Sequence, residues 1–457
     1  MAHQVNGDRH ADAAFADRVR RNQEALAANL KTEFDFIVCG SGSSGAVVAR
    51  RLAEDSNVSV LLLEAGGSDD VPSIMNAAQW PRNIGSERDW NFKAQANPNL
   101  NGRALAMSMG KVLGGGSSIN VMLWSRGHKN DWDYFAAEAG DDAWSYAAVL
   151  DLYRRIEDWH GIPDPDHRGT GGPVFVQPAP DPNPIAPALL EAARSVGIPT
   201  FDNQNGAMME GDGGASIQDV RMRDGRRLSI FRSYTFPYMD RPNLTVLTGA
   251  LVLRLAFEGK RATGVAVVIE GTLRHIGVRC DIVLSLGAIN TPKVLMQSGI
   301  GDASELRRLG IAVLENLPGV GANFQDHTLI SGCAWWEYVE PLPPRNGALE
   351  STLFWKSRPD LNTPDIQLQQ VEMPLVGGDN VAFNNAMSNA GPSYGISPGI
   401  VRPQSIGRLH LTGPNPQDPI EIDAATLEHP DDLTAAIRSI ELCREIGNAP
   451  AFGPFAK

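Results

Sequence analysis

Three glycine- and acid-bearing segments carry the chemistry legible in this chain. Residues Phe34-Asp-Phe-Ile-Val-Cys-Gly-Ser-Gly-Ser-Ser-Gly45 form an apolar run that ends in G-x-G-x-x-G at Gly40, Gly42 and Gly45. A second cluster follows at Gly110-Lys-Val-Leu-Gly-Gly-Gly-Ser-Ser-Ile-Asn120. Between them, Val58-Ser-Val-Leu-Leu-Leu63 ends at the carboxylate of Glu64, 19 residues after Gly45. Glycines without Cβ let backbone amides approach a phosphate closely, and a carboxylate at the end of the next strand suits ribose hydroxyls. The pattern predicts a dinucleotide site. Nucleophilic or acid-base groups are harder to find. The nine histidines are scattered, and none is nominated as a base. His128 and His327 have structural or solvent-facing roles as their simplest reading, and no His/Cys/carboxylate group has metal-ligand spacing.

The elements that must hold these residues follow from hydrophobic pattern. The first glycine motif sits between an apolar strand and the helix-forming run Ala46-Val-Val-Ala-Arg-Arg-Leu-Ala53, the strand–turn–helix context that the motif requires. Residues 65–93 form a long irregular excursion with Trp80 and Trp90, readable as a lid or a packed loop. Residues 131–157 read as one helix with an apolar face that includes Trp132, Phe135, Trp144 and Leu152. A Pro- and Gly-rich linker over 160–184 then leads to a short helix at 184–196. Strands at 244–248, 252–257, 262–269 and 274–279 suggest a small antiparallel meander. A buried strand, Asp281-Ile-Val-Leu-Ser-Leu286, is expected to rejoin a parallel sheet. Residues 430–446 read as a closing helix.

Composition sets the limits. At 457 residues and 42% hydrophobic the chain can fill two domains, and a net charge of −13 disfavours nucleic acid and anionic membrane surfaces. No run of 18 apolar residues suggests a membrane span. The four cysteines form no C-x-x-C pair, and buried thiols in a reducing cytoplasm are the expectation, with Cys39 and Cys280 in or beside strands. Residues 1–33 lack a secretory h-region. They read as a partly ordered leader, with an amphipathic helix possible over 13–30 through Phe15, Val19, Leu26 and Leu30.

Three segments resemble one family, the glucose–methanol–choline (GMC) flavin oxidoreductases. They are the fingerprint ending in Leu63-Glu64-Ala65-Gly66, the run from Gly110 through Asn120 to Trp124, Gly127 and Asp133, and Gly287-Ala-Ile-Asn-Thr-Pro-Lys-Val-Leu-Met-Gln-Ser-Gly-Ile-Gly301. Weaker similarity runs through Asp224-Gly-Arg-Arg-Leu-Ser229, Arg241-Pro-Asn-Leu244 and Gly319-Val-Gly-Ala-Asn-Phe-Gln-Asp-His327, so the resemblance covers about 34 to 457. It implies an α/β fold: a Rossmann-like FAD-binding domain with a second α+β substrate domain built on an antiparallel sheet. The implied division is a leader at 1–33, FAD-binding parts at 34–159 and 224–325, and substrate-domain parts at 160–223 and 326–457. FAD would contact Gly40, Ser41, Gly42, Ser43, Ser44, Gly45, Glu64 and Ala65. Val112, Gly114, Gly115, Asn120, Val121, Met122 and Leu123 would line the flavin, and Val252 would meet the adenine region. Where some members tether FAD through histidine this chain has Ile119, which implies noncovalent FAD.

By resemblance, the activity is oxidation of a small-molecule alcohol to an aldehyde or ketone by hydride transfer to flavin N5, with oxygen or another acceptor reoxidising the flavin. The alternatives are a lyase that uses FAD structurally and an inactive flavin-binding subunit. The family's catalytic histidine and its His or Asn partner lie in a carboxy-terminal stretch with no counterpart within residues 1–457, so the resemblance places both beyond Lys457. A companion polypeptide is therefore expected to carry them. Trp335, Trp336, Phe354 and Trp355 fall in the expected substrate domain, either lining a pocket or packing its sheet.

Overall fold

A computed structural model describes residues 13–331, 333–336, 344–373 and 393–455. Strand β1 (Glu33–Cys39) and strand β2 (Val60–Leu63) are apolar on both faces, as strands covered on both sides must be. They pair in parallel, Val38 opposite Leu62, and α2 (Ser43–Ala53) connects them, laying Ala46, Ala49 and Ala53 against the sheet. β3 (Leu244–Leu247) adds in parallel to β2, while β4 (Ala250–Glu258), β5 (Arg261–Ile269) and β6 (Thr272–Leu284) form the antiparallel side, in the order β3-β2-β1-β6-β5-β4.

Two expectations change here. The strand at 244–247 is not part of the meander but an outer parallel strand. The stretches read as separate strands at 274–279 and 281–286 are largely one long strand, β6, which pairs with β5 over its first half and with β1 over its second. Beyond Gly277 the other edge of β6 has no strand partner among the described residues. Ile282, Val283 and Leu284 are consequently only half-buried, contrary to the buried strand expected.

The leader is also revised. Residues 1–12 lie outside the described residues, but α1 (Ala13–Ala28) is packed, with Phe15 buried edge-on against Phe236 at 5.6 Å. Gln23 explains why. Its Nε2 donates to Leu244 O at 2.9 Å and its Oε1 accepts Val246 N at 2.8 Å, so one side chain satisfies the exposed edge of β3. The helix read over 131–157 is two, Lys129–Ala139 and Tyr146–Ile156, broken at Gly140 in the left-handed region (φ 62°). Its apolar face is largely solvent-facing, with Phe135 and Trp144 about half exposed. Among the cysteines, Cys39 and Cys443 are buried, whereas Cys280 is exposed and Cys333 half-buried.

A second sheet is antiparallel at every pairing. β7 (Ser351–Trp355), β8 (Ile366–Val371) and β9 (Ser393–Ile400) form its centre, flanked by strands Gly214–Ile217 and Thr328–Leu329. Helix Ile185–Ser195 and the closing helix Pro430–Gly447 pack one face through Leu189, Leu353, Leu368, Ile396, Cys443 and Ile446. Trp335 stacks on Tyr394 at 5.8 Å, and Phe354 is buried with Met208 and Met209, so these aromatics fill the sheet's own core. The side chain of Trp336 lies outside the described residues.

At the edge of this sheet the carboxyl groups of Glu350 and Glu372 are both buried and neighbour one another. Burial, and then Glu350 beside it, pushes Glu372 up from an ordinary 4.5 to about 9. The sign follows from linkage. Glu372 holds its proton in the folded chain and loses it in the unfolded chain across that interval, so this contribution is present below about 4.5 and is lost as pH rises through about 9. Urea unfolding of the wild type is therefore expected to weaken steadily over that window, and Glu372→Gln to flatten the dependence. Identical pH profiles for both proteins would contradict the raised pKa of Glu372.

Candidate functional site

The three glycines of the first motif are required for three different reasons. Gly40 follows β1 in the left-handed region (φ 94°), and a Cβ there would come 2.3 Å from Ser285 O. Gly45 presses α2 onto the turn, since its Cβ would lie 1.9 Å from Gly40 O. Gly42 differs: a Cβ would meet nothing within 4 Å, because the position opens onto a cavity. α2 begins immediately after it with no side-chain cap, so the first amides of an 11-residue helix are left for an anion.

The second glycine cluster folds back onto the first. A Cβ on Gly115 would be 2.9 Å from Gly42 Cα, and Gly114 N donates to Ser41 Oγ at 3.1 Å. Ser41 in turn donates from both N (3.1 Å) and Oγ (2.6 Å) to Glu64 Oε2, and Gly66 N donates to Glu64 Oε1 at 2.9 Å. Three of the roughly four acceptor positions of this carboxylate are thus filled by protein, leaving one for a ligand hydroxyl. Burial raises the Glu64 pKa, opposed by those same hydrogen bonds.

The cavity between these segments measures about 180 Å³. That is below the ~300–1,000 Å³ usual for small-molecule sites, so it accounts for one portion of a dinucleotide. Gly40, Gly42, Ser43, Ser44, Glu64, Ala65 and Gly115 line it, as do Trp90, Phe92, Met109, Gly110, Gly116 and Ser285 to Asn290. Ser41, Gly45, Val112 and Gly114 stand behind this lining. Val252 is buried on β4 opposite Val267 and does not reach it. Residues 120–123 leave the cavity and pack toward the second sheet, where Val121, Met122 and Leu123 meet Trp80, Leu349 and Val371.

Sequence reasoning did not single out Trp90 and Phe92 as wall residues. Their rings stack at 5.8 Å, with Lys111 Nζ 5.1 Å from the Trp90 ring. The only signal was an aromatic inside a long glycine-bearing loop. Residues 285–290 were visible through the third motif. Trp80 instead serves packing, its Nε1 donating to Gly347 O at 2.8 Å.

Among the described residues no histidine lines the cavity. His128 caps a helix, accepting Asn130 N at 3.1 Å on Nδ1, with Nε2 2.9 Å from Gly211 O. His327 is exposed, 3.8 Å from Asp326. The described chain closes with a short turn of helix, Pro450–Phe452, whose Phe452 is buried against Tyr394 at 5.4 Å in the core of the second sheet. Lys457, beyond which the resemblance places the catalytic pair, lies outside the described residues, and so does Ala456. No group of metal-ligating residues occurs among the described residues. A wider depression of about 1090 Å³ near Trp159 is open to solvent, and its buried cation, Arg168, is already paired with Glu157 and Asp219.

Glu64→Ala should release Ser41 and Gly66 as well as removing a ligand acceptor. With charge-assisted bonds worth about 1.5–3 kcal/mol each, dinucleotide affinity should drop by at least about tenfold in an equilibrium titration. Unchanged affinity would dissociate Glu64 from the site.

Residues 34–329 match the family described as GMC oxidoreductase. Oxygen-dependent choline dehydrogenase of Brucella anthropi is 34% identical over 449 residues, 93% of this chain and 79% of the relative. The corresponding protein of Rhizobium meliloti is 33% identical over 443 residues, 92% of this chain and 78% of the relative. Among solved structures, pyridoxine 4-oxidase from Mesorbium loti superposes with a TM-score of 0.85 at 30% identity, covering 93% of this chain and 82% of that one. A formate oxidase from Aspergillus oryzae shares the fold, with a TM-score of 0.83 at 24% identity over 93% of this chain and 83% of that one.

Proposed function

This chain belongs to the GMC oxidoreductase family and is an FAD-dependent oxidoreductase, and from that premise we propose that it oxidises a small-molecule alcohol to an aldehyde or ketone with noncovalent FAD. One observation carries the reading: two glycine loops far apart in sequence touch at Gly42 and Gly115 beside Glu64, leaving uncapped helix amides facing a cavity. The residues fit the cofactor. The amides of Ser43 and Ser44 would hold the diphosphate, Glu64 would accept a ribose hydroxyl, and an acid there disfavours a 2′-phosphate. FAD, when bound, supplies the hydride acceptor; the chain supplies binding, orientation and exclusion of water.

Ile119 supports the noncovalent state, being aliphatic and buried where a tether would need a nucleophile. Acid precipitation should leave all flavin in the supernatant, and flavin retained on the pellet would refute this. The activity itself is tested by adding a panel of primary alcohols anaerobically. At least one should bleach the bound flavin; no bleaching, with cyanide released from a cyanohydrin, would favour the lyase reading.

The proton acceptor is a separate matter, because no described histidine lines the cavity. We infer that it comes from a segment other than the described residues, of the kind that the resemblance places beyond Lys457. The edge of β6 beyond Gly277, without a strand partner among the described residues, supports this, since it leads directly into Ser285 to Asn290 of the cavity wall, where an added strand would arrive. The active species should contain residues besides 1–457, seen as added mass by denaturing mass spectrometry. Full alcohol-dependent reduction by a verified single 1–457 chain would overturn it. A cytoplasmic setting accords with the unpaired cysteines.

A further inference from the structure

Cys333 and Cys443, distant in sequence, meet in the core of the second sheet, and nothing in the proposed oxidation uses them. Each is held by regular structure. Cys333 immediately precedes the strand Ala334–Trp336, which pairs antiparallel with β9, and its carbonyl continues that ladder by accepting Ile396 N at 3.1 Å. Cys443 lies on the closing helix, and its Sγ donates to Ile396 O at 3.5 Å. One residue of β9 thus binds both cysteines, and the Cys443 thiol is also within hydrogen-bonding reach of Cys333. Trp335 reinforces the approach of strand and helix. Its Nε1 donates to Asn448 Oδ1 at 3.2 Å, and a Cβ on Gly447 would come 2.1 Å from its Cζ2.

The two sulfurs are not equivalent. Cys443 is fully buried, whereas Cys333 is half-buried and keeps access to solvent. The hydrogen bond from Cys443 lowers the Cys333 thiol from an ordinary 9.0 to about 7, against the effect of burial, and the Arg444 cation acts in the same direction. An accessible sulfur beside a protected one is the arrangement of an attacking and a resolving cysteine. We propose that Cys333 and Cys443 form a peroxide-responsive pair that closes to a disulfide between the Ala334–Trp336 strand and the closing helix. The sulfur of Cys333 attacks one oxygen of hydrogen peroxide, the O–O bond breaks, and the leaving hydroxide takes up the thiol proton as water. Cys333 is then a sulfenic acid. The sulfur of Cys443 attacks it, the S–S bond forms as the S–O bond breaks, and the second hydroxide leaves with the Cys443 proton as water. Two thiols have lost two electrons, and one peroxide has been reduced to two waters. Oxygen as the final acceptor would release that peroxide from the chain's own turnover, but the step itself needs neither FAD nor its placement.

Stoichiometric hydrogen peroxide added to the full folded chain, with acid quenching and thiol counting after unfolding, tests the pair. The wild type should fall from four free thiols to two, lose two hydrogens in mass, and yield one cross-linked peptide containing both Cys333 and Cys443. Dithiothreitol should restore all four thiols. The oxidised chain should melt at a higher temperature than the reduced one, because the cross-link restrains the unfolded chain. Cys443→Ser should stop at a sulfenic acid on Cys333, trapped by dimedone. Cys333→Ser, which alters only the half-buried position, should form no cross-link and show no peroxide-induced change in melting. Exposed Cys280 should remain a thiol in all three proteins. Loss of the Cys280 thiol while Cys333 and Cys443 stay reduced would overturn the inference. So would a wild type whose Cys333 proceeds to sulfinic acid without the cross-link, or one whose four thiols all survive excess peroxide.

Discussion

Gly42→Val should abolish FAD retention in a protein that still folds. The backbone at Gly42 is not left-handed (φ −59°), so a side chain costs no backbone strain there, and its Cβ would touch no protein atom within 4 Å. The isopropyl group would instead occupy the space in front of the α2 amides, where the diphosphate must lie. Overpacking of that kind costs about 1–3 kcal/mol, or about 5- to 150-fold in affinity, before any loss of phosphate contacts. Gly45→Ala is the contrasting case. Its Cβ would fall 1.9 Å from Gly40 O, so it should lower the melting temperature as well. Equal FAD content in wild type and Gly42→Val, measured by released flavin per chain, would show that the diphosphate lies elsewhere.

The largest effect on stability should come from Arg168→Met. Arg168 grips Glu157 with two bonds at 2.8 and 2.9 Å and reaches Asp219 Oδ2 at 2.6 Å, while its guanidinium lies 3.4 Å from the Trp159 ring centroid. Arg126 completes the group at 2.5 Å from Glu157, so two cations offset two carboxylates in a site closed to water. Removing one cation strands a buried carboxylate, a loss of about 3–5 kcal/mol. The network also reaches a neighbouring segment. Asn205 bridges Asp219 to Trp124 O, with both bonds at 2.7 Å, and accepts Arg126 N at 2.8 Å, so the same network anchors the segment leaving residues 120–123. Denaturant unfolding should show the loss directly. The exposed pair Lys260–Glu315 is the control, worth under about 1 kcal/mol.

Much of this was legible in the chain because backbone chemistry is written locally. The dinucleotide motif, β2 and Glu64 follow from glycine spacing and continuous apolar runs. The antiparallel second sheet came from the family resemblance rather than from any pattern in 328–400. What escaped depended on contacts remote in sequence. Nothing near Gln23 says that it will cap β3, and nothing near Gly115 says that it will rest on Gly42. Trp90 and Trp80 look alike in sequence, yet one lines the cavity and the other holds Gly347. Arg221 and Arg227 would ordinarily be read as surface charges. Both are buried, and the oxygen they reach, Asn120 Oδ1, lies about a hundred residues earlier in the chain.

The central claim is that one FAD is held between the two glycine loops, and a crystal structure of the chain with FAD tests it most directly. The diphosphate should rest on the amides of Ser43 and Ser44 at the start of α2, with a ribose hydroxyl on Glu64 and Gly115 close behind. FAD bound elsewhere on the chain, or a diphosphate out of reach of Gly42 and Glu64, would contradict the account.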